Sequence, residues 1–149
     1  MNDTTQAGIE RRIIEQIADA LIYADTNGVI RQWNAAATAL FGHSSAQALG
    51  QSLDLIIPEN LRAAHWSAFD QALAQGSTRL HGRPTLTRAL TADGRTIYVE
   101  MSFALVTDAG GTVVGSVAVA RDATQRRQEE KELRARLAAL ERGGGGAAA

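Results

Sequence analysis

Three histidines, His43, His65 and His81, are the side chains able to ligate a metal or move a proton near neutral pH, and no cysteine joins them. His65 differs from the other two in its surroundings. It sits in Leu61-Arg62-Ala63-Ala64-His65, inside an apolar stripe, where a neutral imidazole keeps a lone pair for donation. His43 and His81 lie in loop-like stretches and are expected to be solvated. No two histidines or carboxylates have the spacing of a multidentate metal site. The absence of cysteine excludes disulfides, thiolate sites, thioether-attached haem and flavin photochemistry through a cysteine adduct. Ser67 and Ser77 with His65 form no nucleophile motif. There is no Gly-x-Ser-x-Gly, no phosphate-binding glycine loop and no catalytic carboxylate pair, so the expectation is a protein that is not an enzyme.

The elements that must position His65 are legible from periodicity and punctuation. Ile9, Ile13, Ile17 and Ala20 fall on one stripe of an amphipathic entry helix. Leu21–Ala24 and Val29–Trp33 are short strands around Asn27-Gly28, residues that tolerate the positive φ of a tight hairpin turn. Asn34 caps a helix from Ala35 to Phe41 that ends at Gly42, and Ser44 and Ser45 open another helical turn reaching Gly50. After the apolar run Leu53 to Ile57, Pro58 begins a longer helix. On it Leu61, Ala64, His65, Ala68, Phe69, Ala72 and Leu73 form a stripe expected to face inward, with Trp66 off it. Gly76 ends that helix. Strands follow over Arg83–Leu90, Thr96–Thr107 and Val113–Arg121, separated by turns at Asp93-Gly94 and Asp108 to Gly111. From Asp122 the pattern is helical and charged, with Leu133, Leu137 and Leu140 spaced as a coiled-coil seam. Gly143 to Ala149 reads as a flexible linker or tail. Two strands, several helices and three strands imply an α+β fold with helices on one face of an antiparallel sheet.

At 149 residues the chain suits one domain with helical appendages. Fifteen basic against sixteen acidic residues leave no electrostatic footprint for phosphate backbones, so no nucleic acid partner is expected. No stretch approaches the roughly 20 apolar residues of a membrane span, and the polar start has no signal-peptide pattern. The expectation is a cytoplasmic protein with no membrane segment in this fragment.

Val29-Ile30-Arg31-Gln32-Trp33-Asn34, then Ala37 with Leu40-Phe41-Gly42, Ile56-Ile57-Pro58, Ala92-Asp93-Gly94-Arg95 and Arg121-Asp122-Ala123-Thr124 occur in an order and spacing that resemble the PAS family over roughly Ile14 to Arg126. The resemblance implies the PAS fold: a five-stranded antiparallel sheet of order 2-1-5-4-3, helices on one face, and a cavity between them. Amphipathic helices flank it at both ends. The implied division is a cap helix over 1–18, a sensor domain over 19–122, a signalling helix over 123–142 and a tail over 143–149.

Leu61 to His65, after Ile57-Pro58-Glu59, further resembles haem-binding PAS domains of oxygen-sensing histidine kinases and gas-regulated phosphodiesterases, as does the interval from His65 to Asp93. That resemblance implies haem b with His65 as proximal iron ligand. Leu80, Arg83, Met101, Phe103 and Leu105 would line the distal side, and Arg79 or His81 would meet a propionate. Thr85 stands where the oxygen-sensing relatives carry a distal arginine, and Arg83 should share its strand face. Asp122 and Thr124 would hold the start of the exit helix and transmit the signal. The implied partners are a diatomic gas or small ligand, a downstream output domain, and a second copy through the terminal helices. Two other readings stand beside this one. The pocket could take a fatty acid, carboxylate or flavin with Arg83 or Arg79 as anion clamp, or be filled by Phe69, Met101 and Phe103 in a ligand-free dimerisation module. Arg83 could equally pair with Glu100 on the sheet surface.

Overall fold

The computed structural model describes residues 5–78 and 81–148, with side chains to residue 143. Helix α1 (Gln6–Gln16) leads into β1 (Ala20–Asp25) and β2 (Ile30–Trp33), then α2 (Ala35–Phe41), α3 (Ser45–Ala48) and α4 (Arg62–Gln75). β3 (Thr85–Leu90), β4 (Thr96–Thr107), β5 (Val113–Asp122) and α5 (Thr124–Ala148) complete the chain. The five strands form one antiparallel sheet in the order β2-β1-β5-β4-β3, as the resemblance implies.

Local chemistry explains most of these boundaries. Asn34 caps α2 by accepting the Ala37 N–H, and Gly42 closes the helix in the left-handed region at φ 85°. Ser44 and Gln47 form a reciprocal capping box on α3. The β1–β2 turn differs from the expected one. Only Gly28 has a positive φ, at 75°, because the Asp25 carboxylate accepts the N–H groups of Asn27 and Val29 and shapes the loop itself. Strand β3 begins at Thr85 and not at Arg83, since Pro84 offers no N–H to a ladder. At the other end, α5 runs through Gly143–Gly146 to Ala148, beyond residue 142 where the sequence places its end. Each glycine there costs about 1 kcal/mol against alanine, which makes these the weakest turns of the helix.

Asn34 is the centre of the N-terminal architecture. Although 1% exposed, it satisfies all four of its polar valences. Nδ2 donates to the carbonyls of Ile14 (2.9 Å) and Asp19 (3.0 Å), and Oδ1 accepts from Leu21 (2.9 Å) and Ala37 (3.0 Å). One side chain therefore joins the end of α1, the start of β1 and the start of α2. The α1 stripe itself points away from the core, leaving Ile9 and Ile13 41% and 56% exposed, while Gly8 is the helix's buried residue.

The core lies between the sheet and the helices around Phe41, Ile22, Ile30 and Val99. Along β4, Ile97, Val99 and Met101 are buried, while Phe103 and Leu105 on the same face are only half-buried. The strand partners of the last three are small: Met101 faces Ala120, Phe103 faces Ala118 and Leu105 faces Ser116. The inner surface of the sheet is thus shallow and less closed toward the end of β4.

Candidate functional site

Helix α4 lies over this layer, and its position comes from three contacts with the segment before it. Arg62 Nε donates to the carbonyl of Ile57 (3.0 Å), and its NH2 group to that of Asp54 (3.3 Å). Four residues on, Trp66 Nε1 donates to Asp54 Oδ1 at 2.7 Å. The indole lies against the backbone of buried Gly28, where a Cβ would overlap the ring. The expected inward stripe therefore shifts toward Trp66, with Leu61, His65, Phe69, Ala72 and Leu73 still half-buried. Ala64 and Ala68 are exposed, no α4 residue is fully buried, and Trp66 and Phe69 are the side chains that pack on the core. The reason is that alanines contribute little area, whereas an indole gains both burial and an acceptor for its N–H.

His65 is half-buried on this face. Its ring meets the Trp66 ring edge-on at 4.6 Å and 78°, and lies 6.0 Å from Phe69. The Nδ1 atom is buried and has no hydrogen-bond partner among the described residues. Burial pushes the imidazole pKa down, with the Asp54 carboxylate partly opposing it, so the ring is neutral at pH 7. A neutral imidazole with an unused nitrogen, in an apolar setting, is chemically a lone-pair donor or a hydrogen-bond partner awaiting a guest.

The remaining expected pocket residues divide. Met101, Phe103 and Leu105 share one face of β4. Arg83 lies exposed in the segment before β3, outside the strand. Glu100 pairs with Arg126 at 2.8 Å. Arg79 and Leu80 lie outside the described residues. His81 is exposed with φ 51°, whereas His43 is half-buried with its ring 6.3 Å from that of Trp33.

At the exit, Asp122 Oδ1 accepts the Thr124 N–H (2.9 Å), and Thr124 Oγ1 accepts the Tyr98 N–H (3.1 Å) and donates to the Tyr98 carbonyl (3.3 Å). Arg127 lies over the Tyr98 ring at 5.6 Å, and Arg121 pairs with Asp19 at 2.9 Å. The base of α5 is thus fastened to β4, and the end of β5 to the residue preceding β1. Beyond it Leu133, Leu137 and Leu140 are 59%, 57% and 67% exposed. Among the described residues, no helix is long and apolar enough to cross a membrane.

Sequence reasoning gave Asp54 no role, set Trp66 off the inward stripe, and read Gly28 only as a turn residue. The available signal was an aspartate inside the apolar run Leu53 to Ile57, a charge out of pattern that needs a donor.

A family model described as PAS fold matches residues 10–123. The chain belongs to the PAS family. Among curated proteins, this PAS domain is 28% identical over 123 residues to the sensor protein FixL of Bradyrhizobium diazoefficiens, covering 83% of the chain and 24% of FixL. It is 24% identical over 139 residues to the oxygen sensor protein DosP of Escherichia coli, covering 93% of the chain and 17% of DosP. It therefore spans a quarter or less of the length of either relative. Among solved structures, it resembles a PAS domain from Colwellia psychrerythraea, with TM-score 0.71, 21% identity and coverage of 81% of this chain and 99% of that one. It also resembles an RNA-binding Light-Oxygen-Voltage receptor, with TM-score 0.75, 24% identity and coverage of 93% and 39%. At these identities the two likenesses speak for the PAS fold alone.

Proposed function

We propose that this PAS domain is a sensory input module that holds haem b through His65 and signals through α5. The observation that carries the reading is the buried Nδ1 of a neutral His65 that the protein itself leaves without a partner. It is supported by the half-buried position of His65 on a helix with no fully buried side chain, by the resemblance of Leu61 to His65 to haem-binding PAS sensors, and by similarity to a protein named as an oxygen sensor. The donor set fits the group: a single neutral imidazole suffices as a protein ligand to haem iron. When bound, the haem would supply an iron centre able to take up a diatomic gas.

The chain's own side chains do the rest. His65 donates from α4, Trp66 and Phe69 hold its ring, and Met101, Phe103 and Leu105 supply an apolar wall that keeps water from the inner face of the sheet. Ligand binding can shift the domain only as far as it favours one of two conformations. The output is a shift of the α5 base, passed by Asp122 and Thr124 to a homodimer formed along the leucine seam, and from there to an output domain. Protein purified or reconstituted with haemin is expected to show a Soret band that disappears in His65→Ala. A colourless protein that takes up no haemin overturns the proposal. A second reading, a ligand-free dimerisation module, is favoured by the packing of Trp66, Phe69 and Phe103 against the core. It would show as a stable dimer with no chromophore.

A further inference from the structure

Helix α4 lacks the usual means of fixing its rotation. It has no fully buried side chain and no side-chain N-cap, and Arg62 anchors only its first turn. Trp66 is the exception, because it is held from three directions at once. Its N–H reaches Asp54 Oδ1 at 2.7 Å, its ring lies on Gly28, and Phe69 meets it edge-on at 5.3 Å and 78°. Gly28 is required for the second contact, since any side chain there would occupy the space of the indole. The residue before Trp66 is His65, joined to it by one peptide unit and by the 4.6 Å ring contact. Fixing the indole therefore fixes where the imidazole points.

We infer that Asp54 and Trp66 are a positioning pair that sets the direction of the His65 ring, with Gly28 as the seat of the indole. Asp54 acts through Trp66 and not by contact with any guest. The site places two demands on one helix: the imidazole must face the space above the sheet, and it must stay there when that space is empty. A hydrogen bond to the Leu53–Ile56 segment, together with the ring contact on Gly28 of the β1–β2 turn, meets both, because these relate the helix to elements outside it whether or not a ligand is present.

The inference rests on the reading of His65 as the ligand, and two measurements separate the failure of one from the failure of the other. In the ligand-free protein, Asp54→Ala is expected to move the His65 ring-proton resonances, because the imidazole leaves its place beside the indole; Asp54→Asn, whose amide oxygen still accepts from Nε1, restores them. In haemin titrations, Asp54→Ala and Trp66→Phe are each expected to raise the half-saturating concentration by about 10- to 100-fold, the usual effect of losing a partner behind a metal ligand. Asp54→Asn recovers uptake. The Trp66→Phe variant keeps the contact between Arg62 and Asp54, so its agreement with Asp54→Ala assigns the effect to the indole N–H. Ring resonances unmoved in Asp54→Ala, or uptake unchanged in Asp54→Ala and Trp66→Phe, overturn the positioning pair. Wild-type protein with no His65-dependent uptake overturns the ligand reading instead, and the ring resonances then decide the pair on their own.

Discussion

Replacing Asn34 with alanine removes four hydrogen bonds through one side chain and is expected to be among the most damaging polar substitutions in the domain. An intramolecular hydrogen bond contributes about 0.5–1.5 kcal/mol net, so four set a range of roughly 2–6 kcal/mol. The bond to the Ala37 N–H is fully buried, while those to Ile14, Asp19 and Leu21 reach groups that are partly open to water. Water can replace part of the latter three, and loss of an N-cap alone costs about 1 kcal/mol, so the expected loss is about 3 kcal/mol. For a domain of this size each kcal/mol lowers the melting temperature by about 2–4 °C, which predicts a fall of roughly 6–12 °C. Asn34→Asp tests the bookkeeping of donors against acceptors. It keeps the oxygen that serves Leu21 and Ala37, but turns a second oxygen toward the carbonyls of Ile14 and Asp19. It should therefore be at least as destabilising as alanine at pH 7. Thermal unfolding followed by circular dichroism measures both. A melting point for Asn34→Ala within about 2 °C of wild type, or an aspartate variant more stable than the alanine one, would refute the reasoning.

Two further perturbations read other parts of the molecule. Thr91's hydroxyl first, and then the Arg95 guanidinium, hold Asp93 at about 2 in place of the usual 3.8, so its contribution is present above pH 3.8 and is lost as the pH falls toward 2. Asp93→Asn should remove that part of the acid sensitivity in urea unfolding at a series of pH values; an identical pH slope in the variant would contradict it. Leu137→Asp, in the middle of the exposed seam, is expected to abolish the proposed dimer. Burying one leucine is worth about 1.5–3 kcal/mol, and two copies lose it, so dissociation should strengthen by at least 100-fold in sedimentation equilibrium. A variant that remains dimeric would remove the seam from the interface.

What the sequence disclosed and what it concealed divide by range. The caps of α2 and α3, the strand alternation of β4 and the turn at Gly94 rest on residues a few positions apart, and their physical preferences act locally. The sheet order came through a chain of such local motifs in a fixed sequence. The rotation of α4 did not, because it depends on where a single indole finds space and an acceptor: Gly28 and Asp54 lie 38 and 12 positions away in the chain. Apolarity alone assigned Ala64 and Ala68 to the buried face, although a methyl group has too little area to decide a helix's orientation. The start of β3 was misplaced for a related reason: Pro84 has no N–H to give the ladder, so pairing begins at Thr85 and Arg83 lies in the segment before it.

The same division bears on how a change at His65 could reach α5. The ion pairs at the exit, Arg121 with Asp19 and Arg126 with Glu100, have arginine side chains 63% and 52% exposed, and such pairs are worth about 0–1 kcal/mol. They are too weak to transmit a conformational preference of several kcal/mol. The backbone ladder is stronger, and it connects the relevant points directly. β1 pairs with β5 from Ala20 opposite Ala120, β5 pairs with β4 from Asp122 opposite Val99, and Thr124 fastens α5 to Tyr98 next to that pair. Met101, on the inner face where a guest would press, is three residues from Tyr98 on the same strand. A displacement of β4 therefore moves the seat of Thr124 without passing through solvent-exposed charges. In the proposed sensor, coupling accordingly follows the hydrogen bonds of β4 and Thr124, and is insensitive to salt concentrations that screen the surrounding ion pairs.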